Sequence, residues 1–313
     1  MPYLKGFTVI GESTVSNHLK QNLISFFDYG LLEKGNFINV DVPETGLYGG
    51  DKSELILVDD PSYTSGQIWQ GIRGNWVWES GVGAYTSESD ANPGVSGVYV
   101  DDTFYPTTSS GTYSHNIDHT LGRVIFDSAI PTTSAVQCSY SYKYINVEQC
   151  DGLSWFKRIQ KQSEKADSKT DEEWNTLQQN RIQLPAIGVE ISTPRSMTPY
   201  QIGGGQYITT SFLFNCIAED VYTRDSMVDM VCMQREALIT GYNLDNIDSN
   251  NAYPLDYLGI PVSGALTYPE LIATYPGSKI RIKNISLDSM YSISSDVHVG
   301  SVKITTESIL FGV

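Results

Sequence analysis

An amphipathic helix is predicted near the start of the chain. Its apolar residues recur every three or four positions, at Val15, Leu19, Leu23, Phe26 and Phe27. This spacing predicts a helix over 13–30. Ser13 or Ser16 can cap its first turn, and Gly30 can end it. Residues 37–42 then alternate between apolar and polar side chains, which predicts a β-strand.

The middle of the chain has a different pattern, in which turn residues separate short segments rich in β-branched and aromatic side chains. We predict strands at 55–58, 76–78, 97–100, 124–126 and 135–147. In the last of these, alternate residues from Val136 to Tyr144 fall on one face, with polar residues between them. Asp101 and Asp102 are predicted to form a hairpin turn. Because helical spacing is almost absent here, a small antiparallel sandwich or barrel is favoured.

Helices return in the last part of the chain. Residues 153–181 are predicted to be helical and charged, with 161–173 as a solvated helix or a mobile connection. A second helix is predicted over 223–239, with Thr223 as its cap and Leu238 facing inward.

Four strands accompany these helices, at 187–191, 207–218, 279–287 and 301–311. A loop with Pro194, Pro199 and the glycines 203–205 is predicted between the first two strands. The loop at 245–251 is rich in Asp and Asn, which favours turns.

The order of these elements predicts an α+β fold. A mixed or antiparallel sheet with flanking helices carries an inserted all-β sandwich or barrel domain. The predicted parts are 1–47 as the start of the α/β core, 48–147 as the inserted β-domain, 148–183 as a helical connection and 184–313 as the rest of the core.

The composition limits the possible functions. The 313 residues carry a net charge of −16, and only 18% of them are charged, against an average of about 25%. An acidic chain without a basic cluster should repel nucleic acid and anionic membranes. No apolar run approaches the roughly 18 residues of a membrane span, and no signal peptide is expected within residues 1–11.

The four cysteines lack metal-site spacing, since none forms a CxxC pair. Buried reduced thiols are expected at Cys138, Cys150, Cys216 and Cys232, which agrees with assembly in the cytoplasm. A disulfide between Cys138 and Cys150 is the alternative.

The sequence contains none of the common catalytic motifs, so we expect no enzyme activity, no catalytic residue and no cofactor. His115, Asp118 and His119 could form a weak metal site, but surface or interface histidines are favoured. Turns explain the acidic clusters Asp59–Asp60, Asp101–Asp102 and 245–251 better than metal binding. The last has oxygen ligands but lacks the glycine and the distal Glu of a calcium loop.

Two further segments were weighed as binding sites. The glycines 203–205 lack the following helix that a phosphate site needs, so a hairpin tip is favoured. Trp69, Trp76 and Trp78 could stack on a sugar, but aromatic residues of small β-domains are more often core residues.

Three segments carry a resemblance to a known family. They are 181–191, 208–238, where a strand runs into an acidic–aromatic–Arg-Asp stretch and a helix, and the closing pair 279–287 with 301–311. Together they resemble the tail-terminator, or neck, proteins of contractile-tailed bacteriophages, over about half of the chain. The inserted β-domain departs from the smallest members of that family.

The resemblance implies a virion protein that forms a homohexameric ring at the head–tail joint. The ring would terminate the tail tube and sheath and dock to the head connector, and viral DNA would pass through it without specific binding. The alternatives are another neck or baseplate protein, or a carbohydrate-binding adhesin of the virion.

Overall fold

The computed structural model describes residues 11–42, 53–79, 82, 94–151, 159–160, 182–201 and 204–310. This part of the chain has a mixed α+β fold, as predicted. Its helices are α1 (Glu12–Glu33), α2 (Val221–Cys232), α3 (Leu244–Asn250) and α4 (Tyr268–Thr274), with one 3₁₀ turn at Gly111–Tyr113. Its strands are β1 (Phe37–Val40), β2 (Ile56–Leu57), β3 (Ile68–Gln70), β4 (Gly97–Val100), β5 (Thr103–Pro106), β6 (His115–Asp118), β7 (Arg123–Phe126), β8 (Val136–Cys138), β9 (Tyr140–Lys143), β10 (Asn146–Gln149), β11 (Ile159–Gln160), β12 (Ile182–Gln183), β13 (Ala186–Gln201), β14 (Gly204–Ala218), β15 (Leu238–Tyr242), β16 (Pro276–Ser294) and β17 (Val297–Leu310).

The largest sheet has six strands in the order β10-β13-β14-β17-β16-β15. β10 and β13 run parallel, and all other neighbours run antiparallel. Two long hairpins, β13–β14 and β16–β17, supply its four central strands, so that only the short β10 and β15 lie outside them.

Helix α1 packs against one face of this sheet through the predicted apolar residues. Leu23 and Phe27 are buried, and the Phe27 ring lies 5.0 Å from that of Phe214 in β14. The predicted boundaries were wrong. The cap is Gly11 without a side-chain hydrogen bond, and the helix continues through Gly30. Fully burying Leu32 in the last turn offsets the cost of an internal glycine.

Helix α2 packs on the same face and is shorter than predicted. The Asp220 side chain accepts the Thr223 N–H, so Asp220 and not Thr223 is the cap. The helix ends at Cys232, and Leu238 lies in strand β15 with 65% of its surface exposed. Residues 238–242 pair with β16, and these ladder hydrogen bonds replace the predicted last turns of helix.

The two long hairpins extend well beyond the predicted strands. β13 continues to Gln201 through Pro194 and Pro199, where a loop was predicted. A register shift between Ser192 and Arg195 accommodates Pro194. A proline is tolerated in an outer position of a sheet because its missing N–H is not needed by the inner neighbour. Gln201 pairs with Gly204. Of the glycines predicted at a hairpin tip, Gly204 and Gly205 belong to β14, and Gly203 lies outside the described residues.

A second hydrophobic core is drawn from residues 40–142 and is separate from the core of the six-stranded sheet. Two small sheets, β2-β3-β7-β6 and β5-β4-β8, surround it. Asp101 and Asp102 both have positive φ between β4 and β5, so the predicted hairpin turn is confirmed. The division into domains at 48 and 147 stays a prediction.

The strand predicted over 135–147 is three strands in three different sheets. β8 pairs with β4, β9 with β1, and β10 with β13. Alternation correctly predicted the buried face from Val136 to Tyr142. It could not show that the chain changes partners twice, because pairing is decided by distant segments.

A buried ion cluster joins α1 to the second core. The Lys143 Nζ lies 2.7 Å from an Asp28 oxygen and 2.7 Å from a Glu79 oxygen. Burial lowers the pKa of Lys143, but the two carboxylates outweigh burial and hold it above its ordinary value. Burial raises the pKa of Asp28 despite the cation.

Two other predictions concern the connecting segments. Most of the helix predicted over 153–181 lies outside the described residues, although Ile159 belongs to a short strand paired with β12. The loop predicted at 245–251 was wrong, because all but its last residue lie in helix α3, which Asn243 caps by accepting the Asn246 N–H. Asn251 ends that helix in a left-handed conformation.

Candidate assembly surface

The six-stranded sheet is open along the far half of β16. β15 pairs with β16 only as far as Arg281, and the segment before β15 adds two backbone hydrogen bonds at Ile282. The Arg235 side chain then donates to the Ile285 carbonyl at 2.8 Å. Beyond this point, at 286–294, β16 has no neighbouring strand on its outer side among the described residues.

Large apolar side chains are exposed along this open segment. The exposed fractions are 52% for Leu287, 43% for Met290, 45% for Tyr291 and 46% for Ile293. Since β-strand side chains alternate between faces, these residues expose apolar surface on both sides of the strand. A contiguous exposed apolar strip on an edge strand is typical of an interaction surface.

The opposite side of the sheet is open at the far half of β13. β10 pairs with β13 from Ala186 to Val189, and the Asp151 side chain accepts the Ile191 N–H at 3.2 Å. In the described part of the chain, no strand pairs with residues 192–201 on their outer side. Pro194 and Pro199 remove two N–H donors from this segment, which discourages indiscriminate strand pairing.

The face of the sheet that lies opposite α1 and α2 is polar along its centre. Glu307 in β17 forms ion pairs with Lys283 and, at 3.8 Å, with Arg281. Burial raises the pKa of Glu307, but hydrogen bonds from Lys283 and Tyr207 outweigh it and lower the pKa below the ordinary value. Charges of both signs therefore meet on this face.

The two histidines weighed as metal ligands are buried, which corrects the expectation of surface histidines. Burial lowers the pKa of His119 to about 4 and raises that of Asp118 to about 6. His115 Nε2 and His119 Nδ1 have no hydrogen-bond partner in the described structure. The Asp118 carboxylate accepts the Leu121 N–H, and no cluster of three or more metal-ligating side chains occurs among the described residues.

The aromatic residues weighed as a sugar platform belong to the second core. Trp69 and Trp76 are buried, and Trp76 stacks on Tyr140 with ring centroids 4.3 Å apart. Neither indole presents a face to solvent, so the expectation of core residues is confirmed for these two. Trp78 is partly buried.

The four cysteines are free thiols, so the alternative disulfide between Cys138 and Cys150 is absent. Cys138, Cys150 and Cys216 are buried as expected, whereas Cys232 is only partly buried, which corrects that expectation. Burial raises the pKa of the Cys138 and Cys216 thiols. Such thiols are inert toward nucleophilic chemistry at neutral pH.

A cavity of about 300 Å³ lies between α1 and the start of β16. In its wall, His18 Nε2 is 3.9 Å from an Asp245 oxygen, and both side chains are partly or largely exposed. Asp245 belongs to the acidic segment noted in the sequence, whereas no sequence pattern singled out His18. Ser278 and Ser308 line the same cavity, and the Ser308 hydroxyl donates to the Lys279 carbonyl at 2.8 Å.

Sequence reasoning missed the assembly surface because it ended the strand at Leu287. The signal was present: from Ile285 to Ile293 apolar residues continue at close spacing without a proline or glycine. Serines interrupt the apolar pattern, and only the pairing with β17, as far as Ser294 with Val297, identifies the segment as a strand.

Comparison with known proteins adds no identification. No protein-family model matches the sequence, and no curated protein is significantly similar to it. Within the described residues, no helix is long and apolar enough to span a membrane.

Proposed function

We propose that this protein is a structural component of a contractile-tailed bacteriophage, acting as a homohexameric ring at the head–tail joint. The ring terminates the tail tube and sheath and docks to the head connector proteins. It is assembled in the host cytoplasm and remains in the virion. Its role is mechanical, with no catalytic turnover.

The observation that carries this proposal is the pair of open edges on one sheet. Unpaired strand edges favour pairing with another chain, and a closed ring is an arrangement in which every copy satisfies both of its edges. The apolar strip at Leu287, Met290, Tyr291 and Ile293 adds a driving force for association.

The charge is compatible with a channel for DNA. Each chain carries −16, and a ring multiplies this value. A net negative ring repels phosphate, so DNA can pass without being held by counterion release. On the polar face of the sheet, Glu307 pairs with Lys283 and Arg281, so part of the positive charge there is neutralised within the chain.

The test is the mass and shape of the purified protein, alone and after incubation with polymerised tail tubes. Native mass spectrometry and negative-stain electron microscopy should show particles of six chains and caps at tube ends. A protein that stays monomeric at all concentrations and leaves tube ends uncapped would refute the proposal. Binding to a glycan array with release of oligosaccharide would instead support the adhesin alternative.

A further inference from the structure

We infer that neighbouring copies join by strand pairing between the two open edges, which makes the six-stranded sheet continuous around the ring. The free segment Ser286–Ser294 of β16 pairs with residues 192–201 of β13 in the next copy. This inference rests on the proposed ring and specifies the contact that closes it.

Strand direction permits this contact without any rearrangement. β13 and β14 are antiparallel, as are β14 with β17 and β17 with β16, so β13 and β16 run in opposite directions within one sheet. A copy added beside β16 in the same orientation therefore presents β13 antiparallel to it. Antiparallel ladders are slightly more stable per residue than parallel ones.

The faces on which the side chains lie limit the possible registers between β16 of one copy and β13 of the next. Ser286 pairs with Lys303, which pairs with Leu213, so Ser286 lies on the face that does not contact α1. Thr198 pairs with Tyr207 and lies on that same face. Placing Ser286 opposite Thr198 brings Leu287 opposite Met197 on the other face, where two apolar side chains meet.

Charge is compatible with this register. Arg195 is the only charged residue in 191–201, and Asp288 is the only one in 284–294. With Ser286 opposite Thr198, Asp288 lies opposite Ser196, one position from Arg195. The Arg195 side chain also pairs with Glu12 of α1 at 3.4 Å, so an attraction to Asp288 would add to an existing ion pair.

The stagger between the edges agrees with a closed ring of tilted strands. Thr198 lies level with Tyr207 of β14 and Ser286 lies level with Leu213, six residues further along. Six residues correspond to about 20 Å along a strand, and four strand spacings to about 19 Å across the sheet. The resulting tilt of about 45° is at the upper end of the range for closed barrels. A register shifted by two residues toward Tyr200 would exceed that range.

The prolines make this contact selective. Pro194 and Pro199 leave carbonyl acceptors on the β13 edge but remove donors, whereas 286–294 has no proline and keeps every N–H. The β16 edge of one copy, which keeps all its N–H donors, thus faces the β13 edge of the next copy, which lacks two of them. Two β13 edges facing each other would leave more carbonyls unpaired, which disfavours a two-fold dimer formed through β13.

Disulfide trapping tests the register. In a Cys232→Ser background, the double variant Thr198→Cys with Ser286→Cys should give, on mild oxidation, a ladder of linked chains that ends at the ring and collapses on reduction. Two matched controls keep Thr198→Cys: one adds Asn284→Cys, shifted by two residues on the same face, and the other adds Ser249→Cys on α3. The first should trap much less and the second nothing.

Measurements of self-association test the same contact independently of cross-linking. Leu287→Asp should weaken self-association about tenfold or more. Leu238→Asp should not, although Leu238 on β15 is more exposed, at 65% against 52%. Arg195→Asp and Asp288→Arg should each weaken it, and the double variant should recover part of the loss, because Arg195→Asp also breaks the ion pair with Glu12. Circular dichroism of each variant checks that it is folded.

The outcomes separate this inference from the proposed function. Rings that form without cross-linking at 198 and 286, and that ignore Leu287→Asp, would overturn the edge pairing and leave the ring intact. Efficient cross-linking into open filaments that never close would support the edge pairing and refute the ring. A monomer that neither cross-links nor caps tubes would overturn both.

Discussion

Replacing Lys143 by methionine should destabilise the protein strongly, because it leaves two carboxylates without their shared cation. Asp28 and Glu79 each lie 2.7 Å from the Lys143 Nζ, and the side chains of Lys143 and Glu79 are only 11% and 5% exposed. Two charge-assisted hydrogen bonds are lost, each contributing about 1.5–3 kcal/mol, while the desolvation cost of the lysine is recovered. We expect a loss of about 3–5 kcal/mol in the free energy of unfolding at pH 7.

Urea denaturation followed by tryptophan fluorescence measures this loss. The matched control is Lys283→Met, because Lys283 also pairs with a glutamate but its side chain is 54% exposed. Exposed ion pairs contribute roughly 0–1 kcal/mol, so this control should change little.

The effect of Lys143→Met should also depend on pH. The raised pKa of Lys143 means that its contribution is present below the ordinary lysine value and is lost as the pH rises through the higher folded value. Burial already raises the pKa of Asp28, so in the variant the protonation of this unpaired carboxylate should restore stability toward acidic pH. A loss no larger than that of Lys283→Met, or one independent of pH, would refute the idea that this cluster joins α1 to the second core.

Three further predictions test other parts of the structure. Gly122→Ala should lower the free energy of unfolding by about 2–4 kcal/mol in a denaturation titration, because φ is +67° and a Cβ would lie 2.1 Å from the Arg73 carbonyl oxygen. The control Gly111→Ala, at φ +83° with no atom near the added Cβ, should lower it by only about 1–2 kcal/mol. Equal losses would contradict the packing argument. Because the pKa of His119 is lowered to about 4, its contribution to stability is fully present above pH 6.5 and is lost as the pH falls toward 4. In thermal melts, His119→Gln should therefore lose less stability than wild type between pH 6.5 and 4. Parallel curves of melting temperature against pH would refute this assignment. Fluorescence anisotropy at physiological salt should detect negligible affinity for duplex DNA, and tight binding that weakens steeply with salt would exclude an acidic channel.

Local signals predicted the parts of the fold that depend on neighbours in sequence. The amphipathic spacing from Val15 to Phe27 identified α1, because a helix buries one stripe whatever it packs against. The Asp101–Asp102 turn was also predicted, since a two-residue hairpin requires residues that tolerate positive φ. The burial of Trp69 and Trp76 was also predicted, because aromatic residues of small β-domains are more often core residues.

Tertiary structure decided the pairing of strands and therefore the candidate surface. The sequence by itself could not show that 135–147 contributes to three sheets, that β13 passes through Pro194 and Pro199, or that β16 reaches Ser294. Each depends on a partner strand that supplies hydrogen bonds, and strand propensity is largely a response to such neighbours. The open edges follow from the same cause: an edge is defined by which neighbour is missing, and residues 192–201 and 286–294 become edges only when β10 and β15 stop short of them.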